Sequence, residues 1–286
     1  MHKKSQYIHT ASLLILSLWS FQSIAEGNIS YSTLNTVDAE QGNKIDKQTL
    51  SASYSHLVHI SENKRNTLSL GGGVEGTDLA FDDSRLRDTD LLKIKVETKG
   101  LHIFESGKLL SWTLTPGLHG QSSELSDANF RVEGQAMFIL PSERRQWILG
   151  AGFGDQFGKP TFFPVIGSIW SPSERSQWTL MFPMVEYQFT ESKNMKYKIS
   201  VVPDGAQWSW KENTIASDTE ASDLSLSGIR ISTGIERGVT ETGAIAFDLG
   251  WVTQRKVEYS QHSDPDLNGS TDLEDAWFMQ IGWKFN

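Results

Sequence analysis

The stretch Ala276-Trp277-Phe278-Met279-Gln280-Ile281-Gly282-Trp283-Lys284-Phe285 decides how the chain is read. In an extended strand, Trp277, Met279, Ile281, Trp283 and Phe285 share one face, and Phe278, Gln280, Gly282 and Lys284 the other. The first face is apolar throughout and carries aromatic residues near both ends. A lipid-facing strand of a transmembrane barrel has this form, with aromatics at the two interfaces. The strand also has the look of the terminal signal that barrel assembly reads, except that Asn286 extends one residue past the aromatic.

The same period of two recurs upstream. Leu50, Ala52 and Tyr54 alternate with Ser51, Ser53 and Ser55, and Leu68, Leu70 and Val74 continue the pattern. Leu92-Lys93-Ile94-Lys95-Val96-Glu97 sets an uninterrupted apolar face against a charged one. Phe130, Val132, Ala136 and Phe138 do so against Arg131, Glu133 and Gln135. Further runs lie at Trp147–Phe153 and Ile245–Trp251, and no amphipathic helix of useful length interrupts the series. Many strands in succession point to an all-β sandwich or barrel. Long charged faces opposite aromatic-ended apolar ones favour an antiparallel up-and-down transmembrane β-barrel.

Composition fits this reading. The chain has 286 residues, a formal net charge of -9 and no cysteine. The acidic balance argues against nucleic-acid binding, because little here could neutralise a phosphate backbone. A mean hydropathy of -0.36 suits a barrel, in which only alternate strand residues face lipid. At the N-terminus, Lys3 and Lys4 precede the apolar run Ala11–Phe21, and Ser23-Ile24-Ala25 supplies small residues at the peptidase positions. Residues 1–25 are therefore expected to be a secretory signal peptide cut after Ala25, leaving 26–286 as one barrel domain.

Turns give the orientation. Short polar turns fall at Ser61–Asn66, Glu105–Lys108, Pro141–Arg145, Ser171–Gln177, Glu191–Asn194 and Glu236–Thr242. Longer acidic connections alternate with most of them, at Asp38–Asp46, Thr77–Asp90, Gln121–Ala128, Asp155–Thr161, Lys211–Ser222 and Lys256–Glu274. Such asymmetry separates the periplasmic rim of a barrel from its extracellular rim. The tetrapeptide Pro-Ser-Glu-Arg occurs at 141–144 and again at 172–175, one hairpin apart, with Trp147 and Trp178 following. Strand number depends on Trp178–Phe189, whose apolar phase flips at Pro183. A tight hairpin there gives 14 strands, with Ile29–Val37 as the first. One bulged strand and a non-spanning N-terminal stretch give 12.

The middle of the chain resembles a family of bacterial outer-membrane β-barrel proteins known only as a domain of unknown function. The matching residues are Asp155-Gln156-Phe157-Gly158, then Phe163-Pro164-Val165-Ile166-Gly167-Ser168-Ile169-Trp170, Ser171-Pro172 before Trp178, and Phe182-Pro183 with Val185 and Tyr187. Met184-Val185 stands where the family pattern often has a second proline. The resemblance implies the barrel fold and an outer-membrane location, and it supplies no activity.

Chemistry is sparse. A serine–histidine hydrolase of the barrel wall needs its base close to a serine. His59 shares the Ser51-Ser53-Ser55 face, expected to be lumenal, and His56 lies on the apolar phase; no Gly-x-Ser-x-Gly elbow exists. Asp264-Pro265-Asp266-Leu267-Asn268-Gly269 loosely resembles a calcium loop, but the twelfth position is Asp275 where a bidentate glutamate is wanted. No catalytic, cofactor or metal site is expected. The charged ladder is the candidate functional feature: Lys93, Lys95, Glu97 and Lys99 on one strand, and Arg131, Glu133 and Gln135 on another, are expected to face the lumen. They either line a pore and set its solute preference or close the lumen by pairing across strands. The expectation is thus a non-enzymatic barrel, either a narrow pore or transporter for small solutes or a closed structural barrel. Its partners would be outer-membrane lipids, lipopolysaccharide and the barrel-assembly machinery. The alternatives are an outer-membrane lipid-modifying enzyme and a soluble β-sandwich binding module.

Overall fold

A computed structural model describes residues 25–36, 44–81, 88–123, 128–210, 222–261 and 269–285. The expected signal peptide, apart from Ala25, lies outside them, as do the acidic segment at 264–268 and Asn286. The first eight strands are β1 (Ala25–Thr36), β2 (Ile45–Ile60), β3 (Asn66–Phe81), β4 (Thr89–Ile103), β5 (Leu109–Gln121), β6 (Asn129–Pro141), β7 (Arg145–Gly154) and β8 (Thr161–Ser173). The remaining eight are β9 (Ser176–Phe182), β10 (Met184–Ser192), β11 (Met195–Pro203), β12 (Ala206–Trp210), β13 (Ser222–Gly238), β14 (Gly243–Gln261), β15 (Gly269–Leu273) and β16 (Ala276–Phe285).

Each strand from β1 to β10 pairs antiparallel with its successor. The ring then runs β11–β13–β14–β16 and closes on β1. It is a single closed barrel of fourteen strands, so the described residues hold no pair of stacked sheets. The terminal strand β16 is the closing piece, paired with β14 on one side and β1 on the other.

The period of two sets the faces. Leu70, Val74, Ile94, Val96, Leu114 and Leu118 are exposed on the outer surface, as are Trp277, Met279 and Ile281 of β16. A face of large exposed apolar side chains is costly in water and favourable against lipid. Glycine appears where the wall needs close approach: a Cβ at Gly150 would lie 2.1 Å from the Ala136 carbonyl oxygen.

The short turns fall where expected and form one rim. Its two Pro-Ser-Glu-Arg segments are neighbours, since the Ser171 N–H donates to the Arg144 carbonyl at 2.8 Å. Arg145 stacks over both Trp147 and Trp170 there, at 5.1 and 5.6 Å. Of the two strand numbers, fourteen is found and twelve is not: β9 and β10 are separate short strands, with the Phe182–Pro183 peptide cis between them.

Three expectations are corrected. Residues 77–81, 256–261 and 269–273, read as loop, belong to β3, β14 and β15. His59 does not share the serine face, because a bulge at Val58 moves it opposite Leu68, in phase with the outward Leu70. The soluble sandwich fails against the closed ring.

Two of the sixteen strands are continuations of others. β12 pairs with β13 in the same register as β11, and β15 pairs with β14 in the same register as β16. Together β12, the outer ends of β13 and β14, and β15 form a four-stranded flap on the long-loop side. The flap leans over the barrel mouth. Trp208, Leu224 and Val257 from it pack with Ile45, Leu79 and Leu91 from β2, β3 and β4, in one buried apolar cluster.

Candidate functional site

Beneath the flap, charged side chains from separate strands meet inside the barrel. Lys93 is a register partner of His119 across β4 and β5, which brings an ammonium and an imidazole side by side on the interior face. The loop after β7 turns inward and delivers Asp155 to both. Its Oδ2 lies 3.3 Å from Lys93 Nζ and 3.5 Å from His119 Nδ1. The same oxygen accepts the Gln207 backbone N–H from β12 at 3.0 Å. Lys93 also sits 4.9 Å from the Trp208 ring centroid, a cation–π contact. Lys93, His119 and Asp155 are all buried.

Asp155 therefore ties three parts of the molecule together: the β4–β5 wall, its own loop and the flap. β12 and β5 are not neighbours in the ring, so their contact crosses the interior. Burial opposes ionisation of Asp155, but the His119 hydrogen bond, the Lys93 ammonium and the Gln207 N–H outweigh it. They hold the carboxyl well below the usual carboxylate range.

A second group adjoins it. Lys95 Nζ lies 3.5 Å from Glu133 Oε1. Arg131 and Asn129 of β6 both donate to Asp223 Oδ1 of β13 at 3.0 Å, again across the interior. Of the sequence-predicted ladder, Lys93, Lys95, Arg131 and Glu133 come together in this network. Glu97 and Lys99 pair with each other at 2.7 Å further toward the short-turn rim, and Gln135 is exposed. Six of its seven residues thus stand in ion pairs, Lys93 and Arg131 with acids outside the ladder.

Three features of the network escape the sequence. Asp155 sits in what reads as a solvated loop, His119 reads as an unremarkable polar residue, and Trp208 lies 115 positions from Lys93. Only the register, which the alternation does not supply, places them together. The one available signal was the glycine-flanked Asp155-Gln156-Phe157-Gly158. Gly158 has φ +85° and approaches Ser227 and Leu226 of β13, where a Cβ would lie 2.9 Å from the Leu226 carbonyl oxygen. Only glycine meets both demands easily.

His119, Glu133 and Asp155 each present a ligand atom within 4.8 Å of the others. The donor set does not suit a metal, because Lys93 and Lys95 already stand against the two carboxylates and would oppose a second cation. Elsewhere at the mouth, the buried Arg255 locks the point where β15 gives way to β16. It donates to the carbonyls of Ile45 at 2.7 Å and Glu274 at 2.8 Å, and to Thr36 Oγ1 at 3.2 Å.

One solved structure agrees with this architecture, and others are more distantly similar. The COG4313 outer membrane channel from Pseudomonas putida F1 superposes with a TM-score of 0.50 at 11% identity, over 93% of this chain and 96% of that one. The P. putida toluene transporter TodX gives 0.36 at 7% identity, over 92% and 89%. The outer membrane protease OmpT from Escherichia coli gives 0.25 at 10% identity, over 93% and 98%. At these identities the likeness concerns the fold alone. No curated protein sequence matches the chain. Residues 23–286 match the family described as Domain of unknown function (DUF6268), and the chain belongs to that family.

Proposed function

We propose that the protein is an outer-membrane transport barrel for small solutes, non-enzymatic, with its outer end held shut by the flap. The observation that carries this is the combination of a closed ring, a lipid-compatible outer face and a charged interior that is bridged by side-chain contacts. A purely structural barrel has no need of a separate flap latched to its wall by buried polar contacts such as that of Asp155 with Gln207. The proposal includes export by the signal peptide 1–25, insertion of 26–286 by the barrel-assembly machinery, and contact with outer-membrane lipids and lipopolysaccharide. The paired interior ladder favours one second reading, a permanently closed barrel.

Planar-bilayer recording separates the two. The reconstituted protein is expected to be closed most of the time, with brief small openings. Asp155→Asn and Trp208→Ala, which loosen the flap, should raise the open fraction. Silence from the wild type and from both variants would leave the closed structural barrel.

A further inference from the structure

The wall is not of even height. β13 and β14 have 17 and 19 residues, whereas β9 and β10 have 7 and 9. Seven residues at ~3.3 Å each, tilted by ~40°, climb about 18 Å, short of the ~25 Å apolar band of an outer-membrane barrel. The shortfall is on the flap side, because the short-turn ends of these strands are level with their neighbours. β8 pairs with β9 only as far as Ile166, which leaves Thr161–Val165 with no strand partner on that edge among the described residues. β6 pairs with β7 only as far as Gly134, while its other edge stays paired with β5 to Asn129. Among the described residues, 129–133 of β6 thus form a free edge.

A free strand edge at lipid depth is costly unless it lines a cavity. Here it does. A cavity of about 170 Å³ adjoins it, lined by both faces of β6 at once. Phe130 and Val132 are in the outward phase and Arg131 and Glu133 in the inward phase, so residues of both phases border the cavity. Phe153, Gly154, Asp155 and Pro160 complete its lining. A cavity of about 150 Å³ suffices for one benzene-sized ring. The surrounding rim is aromatic: Phe130 is 69% and Phe162 80% exposed, with Phe162 4.6 Å from Phe153. Phe157, on the infolded loop, reaches from inside to stack on Phe182 of the same low rim at 6.3 Å.

From this geometry we infer a side portal between β6 and the β7–β8 tip. It takes a small amphipathic molecule, with an alkyl or aryl body toward the bilayer and a single polar end toward Arg131 and Glu133. The inference rests on the transport reading and adds the route: the solute exchanges between barrel interior and membrane, beneath a mouth that the flap keeps shut.

The test uses the full protein in liposomes with an apolar photoactivatable phenyl-diazirine, read residue by residue by mass spectrometry. Phe157 is the reporter and Ile139 the control. Both are half-buried and lie against one interior apolar cluster, but Ile139 stands behind a wall paired on both sides. The portal predicts that Phe157 labels at least about fivefold more than Ile139, since only the notch admits lipid-dissolved probe. Val132→Trp or Pro160→Trp, at the two lips, should bring Phe157 down to the control while Ile94 on the outer face is unchanged. Excess dodecan-1-ol should lower Phe157 labelling relative to Ile94. Equal labelling of Phe157 and Ile139 overturns the portal, as does strong labelling that neither variant reduces, which means entry from the mouth. Failure of dodecan-1-ol to compete overturns the ligand class. Conductance of the same preparation keeps the two readings apart. A conducting barrel with unlabelled Phe157 loses the portal alone, and a silent barrel with the expected labelling loses transport and keeps a membrane-facing binding site.

Discussion

Asp155 is a single carboxylate with partners on three elements, and its loss leaves more behind than a missing hydrogen bond. In Asp155→Asn, Lys93 is left in a buried place with its nearest counter-ion gone. Removing one partner of a buried ion pair costs about 3–5 kcal/mol, whereas replacing both by apolar groups is often neutral. Urea unfolding in liposomes should therefore show a large loss for Asp155→Asn and a partial recovery for Lys93→Met/Asp155→Leu. Equal losses would mean that the pair, and not the stranded charge, carries the energy. The pH dependence has a fixed sign. The folded carboxyl titrates below its unfolded value of about 3.9, so its contribution is complete above that value and is lost as pH falls below it. The stability gap between wild type and Asp155→Asn should stay constant from pH 7 to about 5 and shrink below about 4. A gap that closes between pH 7 and 6 would point to another group. Trp208→Ala tests the apolar side of the same contact: a fully buried tryptophan gives an expected loss of about 3–5 kcal/mol.

The flap is built from strand ends that have left the ring. Among the described residues, β12 is paired laterally only with β13, over five residues, and β15 only with β14, over five. Their stability comes from the cluster around Trp208, Leu224 and Val257 and from the Asp155 and Arg255 contacts. Such elements open locally at a lower cost than the ring does. Hydrogen exchange in liposomes should show β12 and β15 exchanging well before β11 and β16, although each pair shares one register. Asp155→Asn should speed β12 further and leave β16 unchanged; uniform protection across the four would make the flap part of the rigid wall. The sequence conceals this element for a physical reason. Val257 and Tyr259 alternate with Lys256 and Glu258 over too short a run, ahead of an acidic stretch, to be told from a loop. Most ring strands were legible because lipid demands an apolar face on each. β9 and β10, with 7 and 9 residues, are too short for the alternation to separate them from one bulged strand. No comparable demand acts on a strand that faces the interior of the barrel, where Lys93 and Trp208 satisfy each other. The charged ladder could be assigned to one face from alternation, but its partners Asp155, His119 and Asp223 required the register.

At the scale of the whole molecule, closure depends on β16. It contributes ten register pairs to β1 and ten to β14, so without it the ring has two free edges rather than a missing ornament. In lipid the exposed backbone groups of those edges cannot be hydrated, and each costs several kcal/mol. The same strand carries Phe278, packed with Leu34, Val252 and Ala276 inside the mouth, and Arg230 stacks on its ring at 4.6 Å. Two terminal variants separate closure from recognition of the chain end. Removal of Ala276–Asn286 should abolish the compact form that migrates differently before and after boiling on a detergent gel, and the protein should leave the membrane fraction. Removal of Asn286 alone keeps every ring pair of the described residues, among them those of Phe285 with Gly27 and Gly243, so the heat-modifiable form should persist. If Asn286 deletion also abolishes the compact form, assembly reads the chain end itself and the contribution of ring closure has to be measured by refolding into liposomes. If the longer deletion keeps a heat-modifiable membrane form, β14 and β1 must close a thirteen-stranded ring without it, and β16 is not the closing strand.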